Sequence, residues 1–200
     1  MAQSNVYSLN IVGYVNVPVT NGLLSLLSNP LKPSNGDYNI TNTIKLDDAN
    51  SGGSTIYQWN AGTSSWETFD YFSGFGWFPD APQPLGSGFF ILPSFSQTIT
   101  LVGEVQTGSS TNVIAPGLSL LGSKVPVAGN EPGGAVGAGG DTLYTWDAGA
   151  NSWVSQDYFD GYGWFDANSS GTNGPALKVA EGIFILNNGT AKNWIKTLNP

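Results

Sequence analysis

Residues 54–80 read STIYQWNAGTSSWETFDYFSGFGWFPD, and residues 141–167 read DTLYTWDAGANSWVSQDYFDGYGWFDA. The two stretches align without a gap, and three matched pairs hold six of the seven tryptophans of the chain. Tryptophan is a rare residue, so three pairs in phase indicate an internal duplication rather than chance. The matched tryptophan pairs are Trp59/Trp146, Trp66/Trp153 and Trp77/Trp164.

The similarity extends beyond these two stretches. Residues 22–27 correspond to residues 117–121, and residues 88–92 correspond to residues 182–186. The insertions between the matched blocks are rich in Gly, Ser and Asn, as loops usually are. The duplication therefore covers nearly the whole chain.

One segment near the middle matches both ends of the chain. Residues 98–105 resemble residues 9–15 and also residues 194–198. We therefore expect a first β-repeat over residues 1–103 and a second over residues 104–200, joined through a shared strand at about residues 97–106. In the alternative arrangement, the chain curls so that its first and last strands meet.

The local patterns favour strands and turns. Residues 55–59 alternate between two faces, residues 60–64 suit a hairpin turn, and the returning strand places Trp66 opposite Trp59. No apolar period of 3.6 residues persists over a dozen residues, although residues 41–47 allow one short helical turn. The sequence thus predicts about ten to fourteen strands. The predicted fold is all-β, with internally duplicated β-sandwich or barrel-like modules related by pseudo-two-fold symmetry.

Composition excludes several classes of function. Charged residues make up 10% of the chain, the net charge is −8, and the six basic residues are all lysines. Nucleic-acid binding needs cations along the phosphate track, and an anionic membrane surface would repel such a chain. The absence of Cys and His excludes thiol nucleophiles, histidine bases and zinc sites of the usual type. No apolar run is long enough for a membrane-inserted helix.

The beginning of the chain and its composition point to export. Residues 1–4 read MAQS, without the basic and apolar regions of a signal peptide. An acidic, cysteine-free chain rich in Asn, Thr and Gly is common among exported bacterial proteins. We therefore expect an extracellular or cell-surface protein whose signal peptide has been removed.

Three sequence elements carry a resemblance to a known kind of module. They are residues 22–30, residues 56–62 and residues 86–90. Together they resemble an aromatic-rich β-module found in tandem in secreted and cell-surface proteins of bacteria. The second copy departs from the pattern: residues 122–124 read GSK where an Asn-Pro pair would stand, and residues 180–182 read AEG. The resemblance implies export and a structural or binding role at a surface, with no particular ligand.

The repeated aromatic residues are candidates for contact with a ligand or partner. Exposed Trp and Tyr rings stack on sugar rings, and neighbouring carboxylates hydrogen-bond the hydroxyls. The same rings also suit a hydrophobic core or a partner interface. We favour the core interpretation, because a module without helices needs large side chains to fill its interior. The candidate residues are Trp66, Tyr71, Trp77, Trp153, Tyr158 and Trp164, with Asp70 and Asp157.

The carboxylates do not form a convincing catalytic set. Asp70 and Asp157 are equivalent by repeat, whereas a glycosidase needs two carboxyl groups in different environments. Residues 47–52 and 166–171 have the acidic, glycine-ended character of a calcium loop, but neither fits the full EF-hand pattern, and both suit plain loops. We expect no enzyme activity and no cofactor, with calcium as the one metal left open.

The sequence thus favours a non-enzymatic extracellular protein that builds a surface through β-strand and aromatic contacts. Its partners would be further copies of the chain or other surface proteins, and the strand at residues 6–17 would add to the edge of a neighbour's sheet. The alternative is a carbohydrate-binding module. If the repeated Trp and Tyr residues fold the module, specific function would lie in the terminal strands and in the unmatched loops at residues 32–53 and 127–140.

Overall fold

A computed structural model describes residues 11–133, 136–166 and 169–199 of the chain. These residues form eighteen strands and one four-residue helix. The predicted all-β class is therefore confirmed. The sheets are antiparallel and open, so the fold is sandwich-like and no barrel closes among the described strands.

The first repeat contains one helix and eight strands. They are β1 (Val12–Val19), β2 (Ser25–Ser28), α1 (Ile40–Thr43), β3 (Ile44–Lys45), β4 (Thr55–Asn60), β5 (Ser65–Phe72), β6 (Gly76–Phe78), β7 (Gly88–Leu92) and β8 (Gln97–Glu104). The predicted helical turn is thus present as α1.

The second repeat contains ten described strands. They are β9 (Gly108–Ile114), β10 (Gly117–Gly122), β11 (Gly129–Asn130), β12 (Thr142–Asp147), β13 (Ser152–Phe159), β14 (Gly163–Asp166), β15 (Ser169–Thr172), β16 (Ala176–Leu177), β17 (Gly182–Asn187) and β18 (Lys192–Leu198).

Each repeat is built around one large sheet. The first has the strand order β2-β7-β4-β5-β6, and the second has the matching order β10-β17-β12-β13-β14 with β15 added at its edge. Smaller sheets, β1-β8-β3 in the first repeat and β9-β18 in the second, complete the two halves. The duplication seen in the sequence is therefore also a duplication of topology.

The segment that matches both chain ends forms β8, and the second repeat begins with a separate strand, β9. β8 pairs with β1 from Val12↔Glu104 to Val19↔Gln97, and β9 pairs with β18. The two strands are joined by residues 105–107, and Gly108 at the start of β9 has a positive φ of 79°. Each repeat therefore closes on its own strand.

The hairpins that carry the tryptophans follow from local hydrogen bonding. In the first repeat, the Asn60 side-chain oxygen accepts the backbone N–H groups of Gly62 and Thr63. In the second, Asp147 accepts those of Gly149 and Ala150. Such side-chain acceptors fold the chain into a tight turn. The turn then sets the register that places Trp59 opposite Trp66 and Trp146 opposite Trp153.

Each large sheet buries one face inside its own repeat. In the first repeat, Ile56, Phe69 and Ile91 lie on this face and are almost fully buried. In the second, Leu143 and Ile185 occupy the same position in the core. Because side chains alternate along a strand, this burial turns the neighbouring residues toward the opposite, outer face.

The outer faces of the two large sheets pack against each other and form the inter-repeat interface. Its buried centre consists of Leu26 and Phe90 from the first repeat and Leu120 and Phe184 from the second. Leu26 is the repeat equivalent of Leu120, and Phe90 is the equivalent of Phe184. The interface thus has the pseudo-two-fold symmetry that the duplication predicts.

Two hydrogen bonds across the interface obey the same symmetry. The indole Nε1 of Trp59 donates to the carbonyl of Leu118 at 3.0 Å, and that of Trp146 donates to the carbonyl of Leu24 at 2.9 Å. Each tryptophan therefore anchors its own sheet to the first strand of the other repeat's sheet.

Two glycines allow the repeats to approach this closely. A Cβ atom on Gly88 would lie 2.7 Å from the Leu120 side chain, and one on Gly182 would lie 2.6 Å from the Leu27 carbonyl oxygen. Both distances are shorter than a normal van der Waals contact. Gly88 and Gly182 begin the equivalent strands β7 and β17, and the close approach of the other repeat therefore requires glycine at both positions.

The interfacial indole bonds lead to a test of stability. Substitutions Trp59→Phe and Trp146→Phe remove the N–H donor and leave a partly buried carbonyl unpaired, so each should lower the free energy of unfolding by about 1–3 kcal/mol. Urea-induced unfolding measures the loss. Trp66→Phe, in a half-exposed ring, is the control and should cost less. Wild-type stability in both interface variants would contradict the role of these bonds.

Candidate functional site

Strand alternation divides the eight candidate residues into two groups. Asp70 pairs with Phe78 and Tyr71 pairs with Trp77, so the two pairs project from opposite faces of the first sheet. The same division holds in the second sheet. The core-facing group is Tyr71, Trp77, Tyr158 and Trp164, and the outer group is Trp66, Asp70, Trp153 and Asp157.

The core-facing group completes the two hydrophobic cores. Tyr71 and Trp77 contact edge to face with ring centres 5.1 Å apart, and Tyr158 and Trp164 do the same at 5.0 Å. Both tryptophans are buried, and Tyr158 packs against the second core. Replacing these rings would therefore change the fold before it changed any binding surface.

Tyr71 also fixes a loop through its hydroxyl. The hydroxyl donates to Asp48 Oδ1 at 2.9 Å, and the same oxygen accepts the backbone N–H of Gly74 at 2.9 Å. Burial and this hydrogen bond raise the pKa of Tyr71 to about 12. The bonds from Gly74 and Tyr71 lower the pKa of Asp48. The carboxylate thus ties the β5–β6 turn to the unmatched loop at residues 32–53.

Trp66 and Trp153 lie at the rim of the inter-repeat interface. Each is 43% exposed. The Trp66 ring lies 5.9 Å from Phe90 and 5.7 Å from Phe184, and the Trp153 ring lies 5.6 Å from both. The two indoles therefore shield the central phenylalanines while keeping part of their own surface in solvent.

A groove opens between the two sheets beside these indoles. It has a volume of about 410 Å³, within the range of ligand sites. None of the described residues that line this inter-repeat groove is charged. They are Trp59, Trp66, Leu118, Tyr144, Trp153, Phe184 and Leu186.

Asp70 and Asp157 lie exposed on the outer faces, each held by a threonine. Thr55 Oγ1 donates to Asp70 at 2.7 Å, and Thr142 Oγ1 donates to Asp157 at 2.8 Å. Both bonds join neighbouring strands of one sheet. The two carboxylates have matching surroundings, so the structure does not give them the different environments that acid and base roles require.

In the candidate calcium loop at residues 47–52, the Asp47 and Asp48 carboxylates accept hydrogen bonds from within the protein. Asp47 accepts from the Ala49 backbone and the Asn50 side chain, while Asp48 accepts from Tyr71 and Gly74. In the described part of the chain, no cluster of three or more potential metal ligands occurs. The second candidate loop includes residues 167–168, which lie outside the described residues.

The unmatched loop at residues 127–140 is tied to the second core. The buried Glu131 carboxylate accepts the indole N–H of Trp194 at 2.8 Å and forms an ion pair with Lys196. Asp141, just after the loop, pairs with Lys192. Burial of both carboxylates beside lysines fixes this loop against β18.

An exposed group of aromatic residues, which the sequence did not predict, lies at the β5–β6 turn and at the equivalent β13–β14 turn. In the first repeat, Phe72, Phe75 and Phe78 are 51%, 93% and 73% exposed, and we call this cluster tip 1. Tip 2 is its equivalent in the second repeat. It consists of Phe159 and Tyr162, which are 54% and 74% exposed, and the half-buried Phe165.

The sequence does contain a signal for the tips. Phe75 stands between Gly74 and Gly76, which have φ values of 79° and 89°, and Tyr162 stands between two glycines of the same kind. Positive φ on both sides of one residue is typical of a tight turn, and at these two turns the middle residue projects into solvent. An aromatic residue flanked by such glycines is therefore a surface residue.

Comparison with known proteins yields no relative. No protein-family model, curated protein or solved structure matches the chain. Among the described residues, no helix has the length and apolar character needed to cross a membrane.

The Tyr71–Asp48 pair predicts how stability depends on pH. The Tyr71 pKa is raised from 10.0 to about 12 in the folded protein, so its contribution is complete below pH 10 and is lost as the pH rises toward 12. The Asp48 pKa is lowered, so its contribution is present above the ordinary aspartate value and disappears as the pH falls through the lowered one.

Urea unfolding across the pH range measures both effects. Tyr71→Phe should flatten the decline above pH 10, and Asp48→Asn should flatten the decline at acid pH. The Tyr158→Phe variant controls for the loss of a hydroxyl from a core tyrosine. An unchanged alkaline decline in Tyr71→Phe would show that the pair does not cause it.

Proposed function

We propose that the chain is a non-enzymatic extracellular protein that assembles at a surface by associating with further copies of itself. The observation that carries the proposal is the pair of exposed aromatic tips. Proteins in water rarely leave several large aromatic side chains exposed in one short segment unless a partner covers them. Here the same cluster is duplicated, with Phe75 and Tyr162 as its most exposed members.

The energetics of the tips favour a protein partner. Covering one exposed phenyl ring contributes about 1.5–3 kcal/mol, which corresponds to about 10- to 140-fold in affinity. The tips are also rigid: the backbone N–H of Phe75 donates to the Phe72 carbonyl, and that of Tyr162 donates to Phe159. A preorganised turn backbone loses little conformational entropy when a partner binds.

The terminal strands already have one partner each within the chain. β1 is paired along its whole length with β8, and β18 is paired with β9. Both lie at the edge of their sheets, so among the described strands their second side is open to a neighbour's strand. Residues 6–10 of the predicted strand lie outside the described residues. β1 also exposes Val12 and Tyr14, which adds apolar surface.

The amino-acid composition supports an extracellular location. Few charged residues, no cysteine and many short polar side chains suit an exported structural protein, and the resemblance to tandem surface modules points the same way. The net charge of −8 is spread over 200 residues and does not prevent close packing of copies at physiological salt.

Assembly is tested by substituting both tips. The unaltered protein should form concentration-dependent dimers and larger species, and Phe75→Ser combined with Tyr162→Ser should shift association to at least about tenfold higher concentration. Sedimentation velocity and negative-stain electron microscopy measure this. Phe95→Ser, which changes a 43% exposed ring elsewhere, is the control. An unaltered protein that stays monomeric at millimolar concentration would refute the proposal.

A second candidate function is carbohydrate binding. It is favoured by the outer group, because half-exposed indoles and hydrogen-bonding carboxylates lie on the same faces of the sheets. Sugar rings stack on such indoles through their C–H faces. Trp77 and Trp164 are buried, so the indoles that would contact a sugar are Trp66 and Trp153.

Polysaccharide pull-down tests the second candidate. If it holds, Trp66→Ala and Trp153→Ala should each weaken binding at least about tenfold while circular dichroism stays unchanged. Val154→Ala is the matched control, because Val154 is 42% exposed and projects from the opposite face of the strand that holds Trp153. Retention of full binding by both tryptophan variants would exclude these indoles as the sugar platform.

A further inference from the structure

We propose that tip 1 of one copy inserts Phe75 into the inter-repeat groove of a second copy. This inference rests on the proposed self-association and names the two surfaces that meet. Each copy would offer one tip and one groove, so the contact would repeat head to tail and build an open chain of subunits.

Tip 1 has the properties of an inserting group. Phe75 is 93% exposed, and the segment from Phe72 to Phe78 contains no charged residue. The turn is held by the bond from Gly74 to Asp48 and by the bond from Phe75 to Phe72. The backbone that carries the ring is therefore held in place, and the segment itself brings no charge into the contact.

The inter-repeat groove has the properties of a receptor for an aromatic ring. Its volume of about 410 Å³ exceeds that of one phenyl ring, and its described lining residues are uncharged. Trp66 and Trp153 stand at its rim, and Trp66 meets Phe184 at an interplanar angle of 90°. Aromatic walls set at such angles can contact an incoming ring edge to face.

The groove of a chain is out of reach of its own tip 1. Trp66, at the groove, and Phe72, at the tip, stand six residues apart on the single strand β5. A strand rises about 3.3 Å per residue, so the two ends are roughly 20 Å apart and held there by the sheet. A tip 1 that enters the groove therefore belongs to another copy.

Tip 2 is a poorer match for the same groove. Asp160 lies two residues before Tyr162, in the turn itself, where its carboxylate accepts the backbone N–H of Gly139. The equivalent residue in tip 1 is Ser73. Tip 1 has a carboxylate at its turn as well, because Asp48 accepts the backbone N–H of Gly74. The projecting rings differ more: Phe75 is wholly apolar and 93% exposed, whereas Tyr162 is 74% exposed and carries a hydroxyl that an apolar groove would desolvate. The apolar groove therefore favours tip 1.

Mixing two variants of the full chain tests the head-to-tail contact. Phe75→Ser removes the tip and leaves the groove, and Leu186→Glu places a charge in the groove and leaves the tip. Leu118→Gln is a milder groove variant for use if Leu186→Glu fails to fold by near-ultraviolet circular dichroism. Sedimentation velocity is measured on each variant alone and on an equimolar mixture.

The expected result is specific to a heterologous contact. Each variant alone should stay monomeric at concentrations where the unaltered protein associates, and the mixture should form dimers and grow no further. Tyr162→Ser should change association less than about twofold. Association of the unaltered protein that survives Phe75→Ser, or a mixture without dimers, would overturn this inference alone. A strictly monomeric unaltered protein would overturn the proposed function with it.

Discussion

The contact on which the structure depends is the face-to-face packing of the two large sheets. Leu26, Phe90, Leu120 and Phe184 form its buried centre, and the Trp59 and Trp146 indoles bond across it. A single repeat would leave this whole aromatic face in water. The duplication is therefore a structural requirement, because each repeat supplies the cover that the other needs. The same packing creates the inter-repeat groove, which neither repeat could form alone.

The sequence predicted the strands well because its alternation and turns are local signals. It placed Trp59 opposite Trp66 and identified the symmetric repeat, and both are present in the structure. It could not decide which face of each large sheet was the core, because both faces are apolar: Ile56 and Phe69 lie on one, and Tyr57 and Trp59 on the other. Strand register separates the two groups, but only the structure shows that the face of Trp77 is the core of its own repeat and that the face of Trp66 meets the second repeat.

Two further differences have simple physical reasons. Residues 98–105 matched both chain ends because β1, β8 and β18 all alternate between more and less buried residues, and a shared pattern does not specify which strands pair. The tips escaped notice because Phe72 and Phe78 belong to strands rich in core residues. The decisive signal was the glycine on either side of Phe75, which marks a projecting turn.

Aromatic residues thus serve three purposes in one chain of low charge. Tyr71 and Trp77 fill a core, Trp59 and Phe90 join the repeats, and Phe75 projects into solvent. In the proposed assembly, the groove that forms where the repeats join receives the projecting Phe75 ring of another copy. A protein with few charges can build large contacts in this way without ion pairs that salt would weaken.

The central claim is that the two repeats fold as one unit through their shared interface. Amide hydrogen exchange of the full chain carrying Phe184→Ala tests this most directly, because the substitution lies in the second repeat only. The account predicts faster exchange in strands β4 and β7 of the first repeat as well as in β12 and β17 of the second. Faster exchange confined to the second repeat would contradict it.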